Sequence, residues 1–495
     1  MIRHLARERA ELPLLLLVGL AAIGVGVLAA ATSPLLPFGA LVAVGIAVMI
    51  FRGPARGVAL FIAVIAVVPF GVIPIPLAGA QLTFVDATLL TTFAAVAARA
   101  AFDHWPIPIG APGIALLGFV LVSILAFIAG SASNAPPPEL IRRFGKLLVS
   151  LLFFLVARAL LTSETRLVWL TRGLMVAGAL QGAVGAGLMA FSPLTQLTVL
   201  TRLQAIGYPS TDVLRYVPGP NNTYTDQLRA IGTSVDPNVF GGTLMLALTL
   251  MVVQWASPRP VWPKLVLVCL ALPTAAGVLL SLSRASWLGL ACGLLLVGGL
   301  RYRRVLLLGL LAVVVLLATP TGQDFVARFV GGFSTADRAT AFRVGEYANA
   351  LTLLQRYPLL GIGFGSSPDI DVTAGVSSVY LLVAEETGLL GLMVFLAAVA
   401  ITWWTGVRNL VRISDPRRQA LQAAFLAALT GALVAGVLDH YFANQVFPHA
   451  VALFWLYAAG LVAASELGAA TERQREPERA ARLRPGTRRA YRASV

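Results

Sequence analysis

Ionisable side chains inside or at the edge of long apolar runs are where this sequence can do chemistry, because each is costly in hydrocarbon unless something pairs with it. They are Asp86, Arg229, Asp236, Arg284, Arg343, Glu385, Glu386, Asp439 and His440. Arg284 falls in Leu282-Ser283-Arg284-Ala285-Ser286-Trp287, which closes one apolar run and opens the next with almost no loop. A guanidinium at such a helix end can hold a diphosphate bidentately, adding its charge to nearby helix N-terminal amides. The plainer alternative is interfacial snorkelling, with Trp287 as an aromatic belt residue. Arg229 opens a turn-rich stretch that runs through Gly232 to Asp236-Pro237-Asn238. Asp236 reads as a helix N-cap and Pro237 as the first helical residue, which accounts for the aspartate and leaves Arg229 unexplained. Asp439-His440-Tyr441 closes a later span. An imidazole there is placed to act as a general base, and the adjacent carboxylate can raise its basicity, although neighbours in sequence need not face each other. Glu385 and Glu386 lie about two turns into an apolar helix, where they line a cavity unless the span begins later. The cluster Gly361-x-Gly363-x-Gly365 has no strand or βαβ unit around it and is not a dinucleotide motif. It lets the backbone turn tightly beside a headgroup or fold back toward the membrane.

The elements that position these groups must be membrane helices. Of the 495 residues, 58% are hydrophobic and 12% charged, against about 25% charged in soluble domains. Mean hydropathy is +0.84, so the bilayer serves as solvent for most of the chain. With about 20 apolar residues needed per crossing, candidate spans fall near 11–31, 35–51, 57–75, 82–102, 112–130, 145–163, 167–192, 236–255, 262–281, 284–300, 303–318, 379–406, 418–437 and 446–465. The fold class expected is therefore all-α, a polytopic transmembrane bundle of about 12–14 spans with a long outer-face loop. The first span follows Arg3, Arg7 and Arg9 but lacks a small-residue cleavage site, and reads as a retained helix. The stretch Val68-Pro69-Phe70-Gly71-Val72-Ile73-Pro74-Ile75-Pro76 reads as a broken or re-entrant end. Cys269 and Cys292 lie in apolar runs and offer no disulfide framework.

Lys and Arg concentrate in alternate connections and in the C-terminal tail, which places both termini in the cytoplasm. The resulting division is N-terminal helices to 192, an outer-face loop 193–235, helices 236–318, a long outer-face loop 319–378, helices 379–465, and a basic cytoplasmic tail 466–495 read as disordered near anionic headgroups. In the second loop Phe342, Tyr347, Leu351 and Leu354 recur near helical period, with Arg343 and Glu346 one turn apart, which predicts a short amphipathic helix at the membrane surface. Asn221-Asn222-Thr223 fits a glycosylation acceptor, a pattern too short to build on. The charge of +15 brings no nucleic-acid motif with it.

In order along the chain, Arg229-x-x-Gly232 with Asp236-Pro237-Asn238, Ser283-Arg284-x-x-Trp287, Pro358-Leu359-Leu360-Gly361-Ile362-Gly363-Phe364-Gly365, and Tyr380-Leu381 with Glu386-Thr387-Gly388-Leu389-Leu390-Gly391 resemble the bacterial O-antigen ligase and O-antigen polymerase family. The similarity is concentrated in about 225–395. The resemblance implies a multi-spanning enzyme of the bacterial inner membrane that takes a glycan from a polyprenyl (undecaprenyl) diphosphate and joins it to an acceptor glycan or glycolipid on the outer face. It implies no cofactor, metal or nucleotide sugar. It implies contact with donor, acceptor and membrane lipids, with Arg229, Arg284, Arg343, Asn238, Gly363 and Gly365 toward the diphosphate and glycan. Family ligases usually carry a His-Asn pair about eleven residues before the Gly-x-x-Gly element, where this chain has Ser377-Ser378. A serine has no useful pKa as a base. The role then falls to Glu386, Asp439 or His440, or the protein is a polymerase or divergent member with another arrangement, or it no longer catalyses transfer. A transporter or lipid-linked glycan flippase is the alternative class; polar residues gathered on one membrane side favour the enzyme.

Overall fold

A computed structural model describes residues 35–73, 82–132, 135–218, 224–331, 338–365 and 375–483. The expected first span, Pro74 to Pro76 and the Asn221-Asn222-Thr223 acceptor lie outside them. The helices are α1 (Leu35–Arg52), α2 (Ala55–Val67), α3 (Phe84–Phe102), α4 (Gly110–Gly130), α5 (Pro138–Leu160), α6 (Glu164–Leu188) and the short α7 (Pro193–Thr201). Strands β1 (Arg215–Pro218) and β2 (Tyr224–Arg229) follow, then α8 (Pro237–Ala256), α9 (Lys264–Leu280), α10 (Arg284–Leu300), α11 (Arg303–Ala318), α12 (Pro320–Gly331) and α13 (Arg338–Arg356). The chain ends in α14 (Val379–Leu410), α15 (Pro416–Leu438) and α16 (Pro448–Leu483). Each apolar stretch read as a span from 35 onward contains a helix, although that of 57–75 ends at Val67. Among the described residues, seven helices are long and apolar enough to cross a membrane, and Leu41–Arg52, Ala55–Val67, Lys264–Leu280 and Arg284–Leu300 are shorter apolar helices. An all-α polytopic bundle is the architecture.

Helix starts follow their capping chemistry. Asp236 Oδ1 accepts the N–H groups of Asn238 and Val239 at 2.8 and 3.0 Å, and Asp415 Oδ1 does the same for Arg417 and Arg418 at 3.0 and 3.1 Å. Thr83 and Asp86 form a reciprocal capping box at the start of α3. The same Asp86 carboxylate meets Lys146 Nζ of α5 at 2.7 Å, so this buried acid is accounted for structurally.

α8, α15 and α16 form the buried centre, whereas α4 and α14 turn large apolar side chains such as Leu121, Leu125, Met393 and Trp404 outward. α10 packs along α15 through small residues: a Cβ added to Gly289 would stand 2.4 Å from Gly431 O. Such close backbone contact is how membrane helices gain packing energy without a hydrophobic drive.

Three features depart from the expected pattern. The loop 193–235 holds a hairpin in which Arg215 pairs with Arg229 and Tyr216 with Leu228. The tail is not disordered from 466: α16 continues to Leu483, as its Ala, Glu, Gln and Arg content favours, and Arg158 pairs with Glu466. α14 is broken at Gly388, whose φ of 68° and ψ of −172° are not helical. The turn Pro358–Gly363 fills that break. Ile362 and Gly363 N–H donate to Glu385 and Glu386 carbonyls at 2.9 and 3.0 Å, and Leu389 N–H donates to Pro358 O at 2.8 Å. Backbone groups freed by the break are thus satisfied by the turn. The two glycine motifs are halves of one joint: a Cβ on Gly361 would lie 2.3 Å from Glu385 O, and one on Gly388 2.2 Å from Leu359 O.

Gly361→Ala and Gly388→Ala should each destabilise the protein by on the order of 1–3 kcal/mol or more, read as a fall in melting temperature in detergent. Gly187→Ala, where an added Cβ meets nothing within 4 Å, should leave the melt unchanged or slightly raised; equal losses at all three would refute the joint.

Candidate functional site

The N-termini of α8 and α10, the C-terminus of α15, the start of α14 and one face of α13 meet at one end of the bundle. Their convergence begins with Arg229, the last residue of β2. Its Nε donates to Ser281 O at 2.9 Å and its Nη2 to Asn238 Oδ1 at 2.6 Å. Ala230 N–H adds a bond to Leu280 O at 2.9 Å. The guanidinium is thereby fixed between the α9–α10 corner and the first turn of α8. Asn238 acts on Arg229 as an acceptor, while its own N–H is taken by the Asp236 cap.

Burial pushes Arg229 down to about 10; Asp236 and Asp439 work against that, and Arg284 and Arg343 add to it. It stays protonated at neutral pH. Arg284 and Arg343 therefore both stand close enough to act on Arg229, together with two carboxylates. Two backbone turns bring them there. Val235 and Leu282, each one residue before a cap, have φ of 61° and 52°, a region costly for non-glycine residues and most of all for a β-branched one. Ser283 then caps α10 by accepting Ser286 N–H at 3.4 Å, which leaves Arg284 as the first residue of the helix. Trp287, expected as a belt residue, is half-buried and donates its indole N–H to Val278 O at 2.9 Å.

The second half of the site is Asp439-His440. His440 Nδ1 lies 3.2 Å from Asp439 Oδ1, without the alignment of a full hydrogen bond, and the same oxygen accepts His440 N–H at 2.9 Å. Burial opposes the charged imidazolium, but contact with Asp439 and the charges of Asp236 and Glu346 outweigh it, so the net effect raises His440 above 6.5. The edge of Phe447 packs near the ring at 6.1 Å between centroids.

Glu346 belongs to this cluster and was visible in the sequence only as a helix-face neighbour of Arg343. Its Oε2 accepts Ser377 N–H at 3.0 Å, and Tyr347 Oη donates to Val437 O at 3.1 Å. These bonds tie α13 to both 377 and 437. Val379 N–H donates to Asp439 O at 3.1 Å and Ser378 Oγ to Gly436 O at 3.4 Å. Ser377, where related ligases carry histidine, thus lies on a segment laid directly against the one that carries His440.

Glu386 is brought elsewhere. It is buried beside the Pro358–Gly363 joint, and the charged neighbour that reaches it is Glu385. Glu385 is closer to the cluster: it lies within the field of Glu346 and accepts Gly375 N–H at 2.6 Å. Gly363 has its N–H committed to Glu386 O and its Cα side against Ala126 and Gly130 of α4, and Gly365 sits near Leu140. Of the two purposes expected for this glycine cluster, the backbone shows the fold-back.

A polytopic helical bundle in which Arg229, Asp236, Glu346, Asp439 and His440 come together at one end defines a membrane protein with a polar working face there. Residues 265–396 match the family model described as O-Antigen ligase. This stretch, from α9 into α14, is similar to that family over about a quarter of the chain and contains Arg284, Arg343 and the glycine joint; the similarity supports glycan processing of the ligase or polymerase type. Arg229 and Asp439-His440 lie outside it. No curated protein matches the chain.

Asp439→Asn should lower the pH at which His440 loses its proton, since the group that raises it is neutralised; Glu346→Gln should do so by less. Imidazole NMR of labelled protein reads both, and a titration unmoved by Asp439→Asn would break the pairing.

Proposed function

We propose that the protein transfers a glycan from a polyprenyl diphosphate carrier to an acceptor hydroxyl on the outer face of the bacterial cytoplasmic membrane, with both termini in the cytoplasm. The observation that carries this reading is that Arg229, held by Ser281 and Asn238, lies close enough to Arg284, Arg343 and Asp439 for each to act on it, with His440 paired to the same Asp439. In the reaction the bond between the anomeric carbon and the diphosphate oxygen breaks and a bond from that carbon to the acceptor oxygen forms. Charge builds on the leaving diphosphate, and Arg229, held in advance by Ser281 O and Asn238 Oδ1, follows it at little reorganisation cost, joined by Arg284 and Arg343. Asn238 keeps Arg229 aimed. The acceptor proton passes to His440, with Asp439 stabilising the imidazolium that results. His440 thus supplies from the α15–α16 connection the imidazole that related ligases carry at the position of Ser377. Glu386 is the less suitable base because its surroundings contain none of the arginines. No step in this scheme calls for a metal.

Arg284→Ala should lower transfer from a reconstituted lipid diphosphate donor by about a hundredfold or more while leaving the melt intact; a parental rate at limiting and saturating donor would contradict the diphosphate role. The rate should rise with pH as His440 becomes neutral, with its ascending limb above 6.5, and in Asp439→Asn that limb should shift to lower pH at a reduced rate. Ser377→Cys should react with an impermeant thiol reagent from outside intact cells. Labelling from the cytoplasmic side alone would invert the topology.

A further inference from the structure

The end of the bundle opposite the arginine–histidine cluster carries a second basic site that the proposed reaction does not use. α10 ends at Leu300, α11 begins at Arg303 and α15 begins at Pro416. Between these termini and Pro258, just after α8, lies an open cavity of about 680 Å³. Arg301, Arg303 and Arg304 line it and are exposed, and no acidic side chain lines it. Asp415, the carboxylate next to Pro416, is committed to capping α15. Arg301 Nε donates to Gln419 Oε1 at 2.8 Å, which holds one edge of its guanidinium against the cavity wall. Gln419 Nε2 is itself held by Leu410 O and Ile413 O, both at 3.2 Å.

Tyr302 is the independent sign of a ligand. It is only 7% exposed, lines the cavity, and its Oη has no hydrogen-bond partner. Ser257 Oγ stands near that phenol without the alignment of a full hydrogen bond, and accepts Arg259 N–H at 3.1 Å. A buried phenol left unpaired is costly, and an anionic oxygen in the cavity would satisfy it. A group presenting several such oxygens to guanidinium forks and one to a phenol is a phosphate ester.

The surroundings decide between a soluble and a lipid ester. α11 leaves the arginines with Leu307, Leu310, Leu311, Val314 and Val315 exposed, an apolar face at helical spacing that runs into the membrane from the cavity rim. A soluble phosphate has no use for it; acyl chains do. We propose that this cavity binds the phosphate headgroup of an anionic membrane phospholipid whose acyl chains lie along α11. The concentration of Lys and Arg at this end matches the cytoplasmic leaflet, where such lipids attract basic residues.

The test uses the full chain in neutral detergent, titrated with phosphatidylglycerol, phosphatidylcholine or inorganic phosphate, with retained lipid read by native mass spectrometry and stability by melting temperature. Phosphatidylglycerol should be retained and should raise the melt; the other two should not. Arg303→Gln with Arg304→Gln should weaken phosphatidylglycerol binding by about thirtyfold, taking about 1 kcal/mol for each of the two basic residues near an anionic surface. Tyr302→Phe, which preserves the packing, should weaken it as well. Arg408→Gln with Arg412→Gln, at the same end but outside the cavity, should leave it unchanged. Equal retention of phosphatidylcholine, a shift produced by inorganic phosphate, or parental binding in the Arg303/Arg304 and Tyr302 variants would overturn the assignment.

Discussion

The structure depends on holding a guanidinium, Arg229, in a buried place where two other cations already act on it. Left alone, that arrangement is unfavourable: burial and like charge both push against the protonated form. It is tolerated because Nε and Nη2 of Arg229 are answered by Ser281 O and Asn238 Oδ1, and the charges of Asp236 and Asp439 favour its protonated form. A diphosphate between the arginines changes the sign of their mutual interaction from repulsion to shared attraction. Much of the protein's architecture at this end can be read as the means of keeping that unfavourable arrangement in place.

The helices supply it in a definite way. α8 and α10 both begin at the cluster, so their N-terminal amides and positive dipole ends point toward the same region as the arginines. The close packing of α10 on α15 through Gly289 and Gly431 brings Arg284 to the level at which α15 ends in Asp439-His440. α13 then closes the arrangement from the loop side, held by Glu346 to Ser377 and by Tyr347 to Val437. The family segment at 265–396 carries two of the arginines. The third arginine and the imidazole come from either side of it, and only the folded bundle unites them.

What the sequence made legible follows from interactions that act over a few residues. Spans were readable because hydrocarbon selects apolar runs, and the caps at Asp236 and Asp415 because an N-cap bonds within three residues. The amphipathic period of Phe342 to Leu354 gave α13. What was hidden depends on partners far along the chain. Gly388 lies within a stretch that reads as one continuous span, just after Glu385-Glu386-Thr387, and its break is accommodated because the turn at 358–363 arrives to satisfy the freed backbone groups. Glu346 reads in the sequence only as a polar residue one turn from Arg343, and its bond to Ser377 comes from a segment 31 residues on. The choice among Glu386, Asp439 and His440 was likewise open in the sequence, since the two Glu residues are adjacent and their opposite surroundings come from tertiary packing. The tail beyond 465 has little apolar content to announce a packed element, yet the helix that begins at Pro448 continues through it to Leu483.

The central claim is that Arg229, Arg284 and Arg343 jointly receive a diphosphate. The most direct measurement is a structure of the full chain with an undecaprenyl diphosphate analogue, determined by electron cryomicroscopy in a lipid nanodisc. The account requires the two phosphorus atoms to lie within hydrogen-bonding reach of these three side chains, with the anomeric carbon facing His440. Density for the diphosphate at the other end of the bundle, or beside Glu386 and away from the arginines, would contradict it.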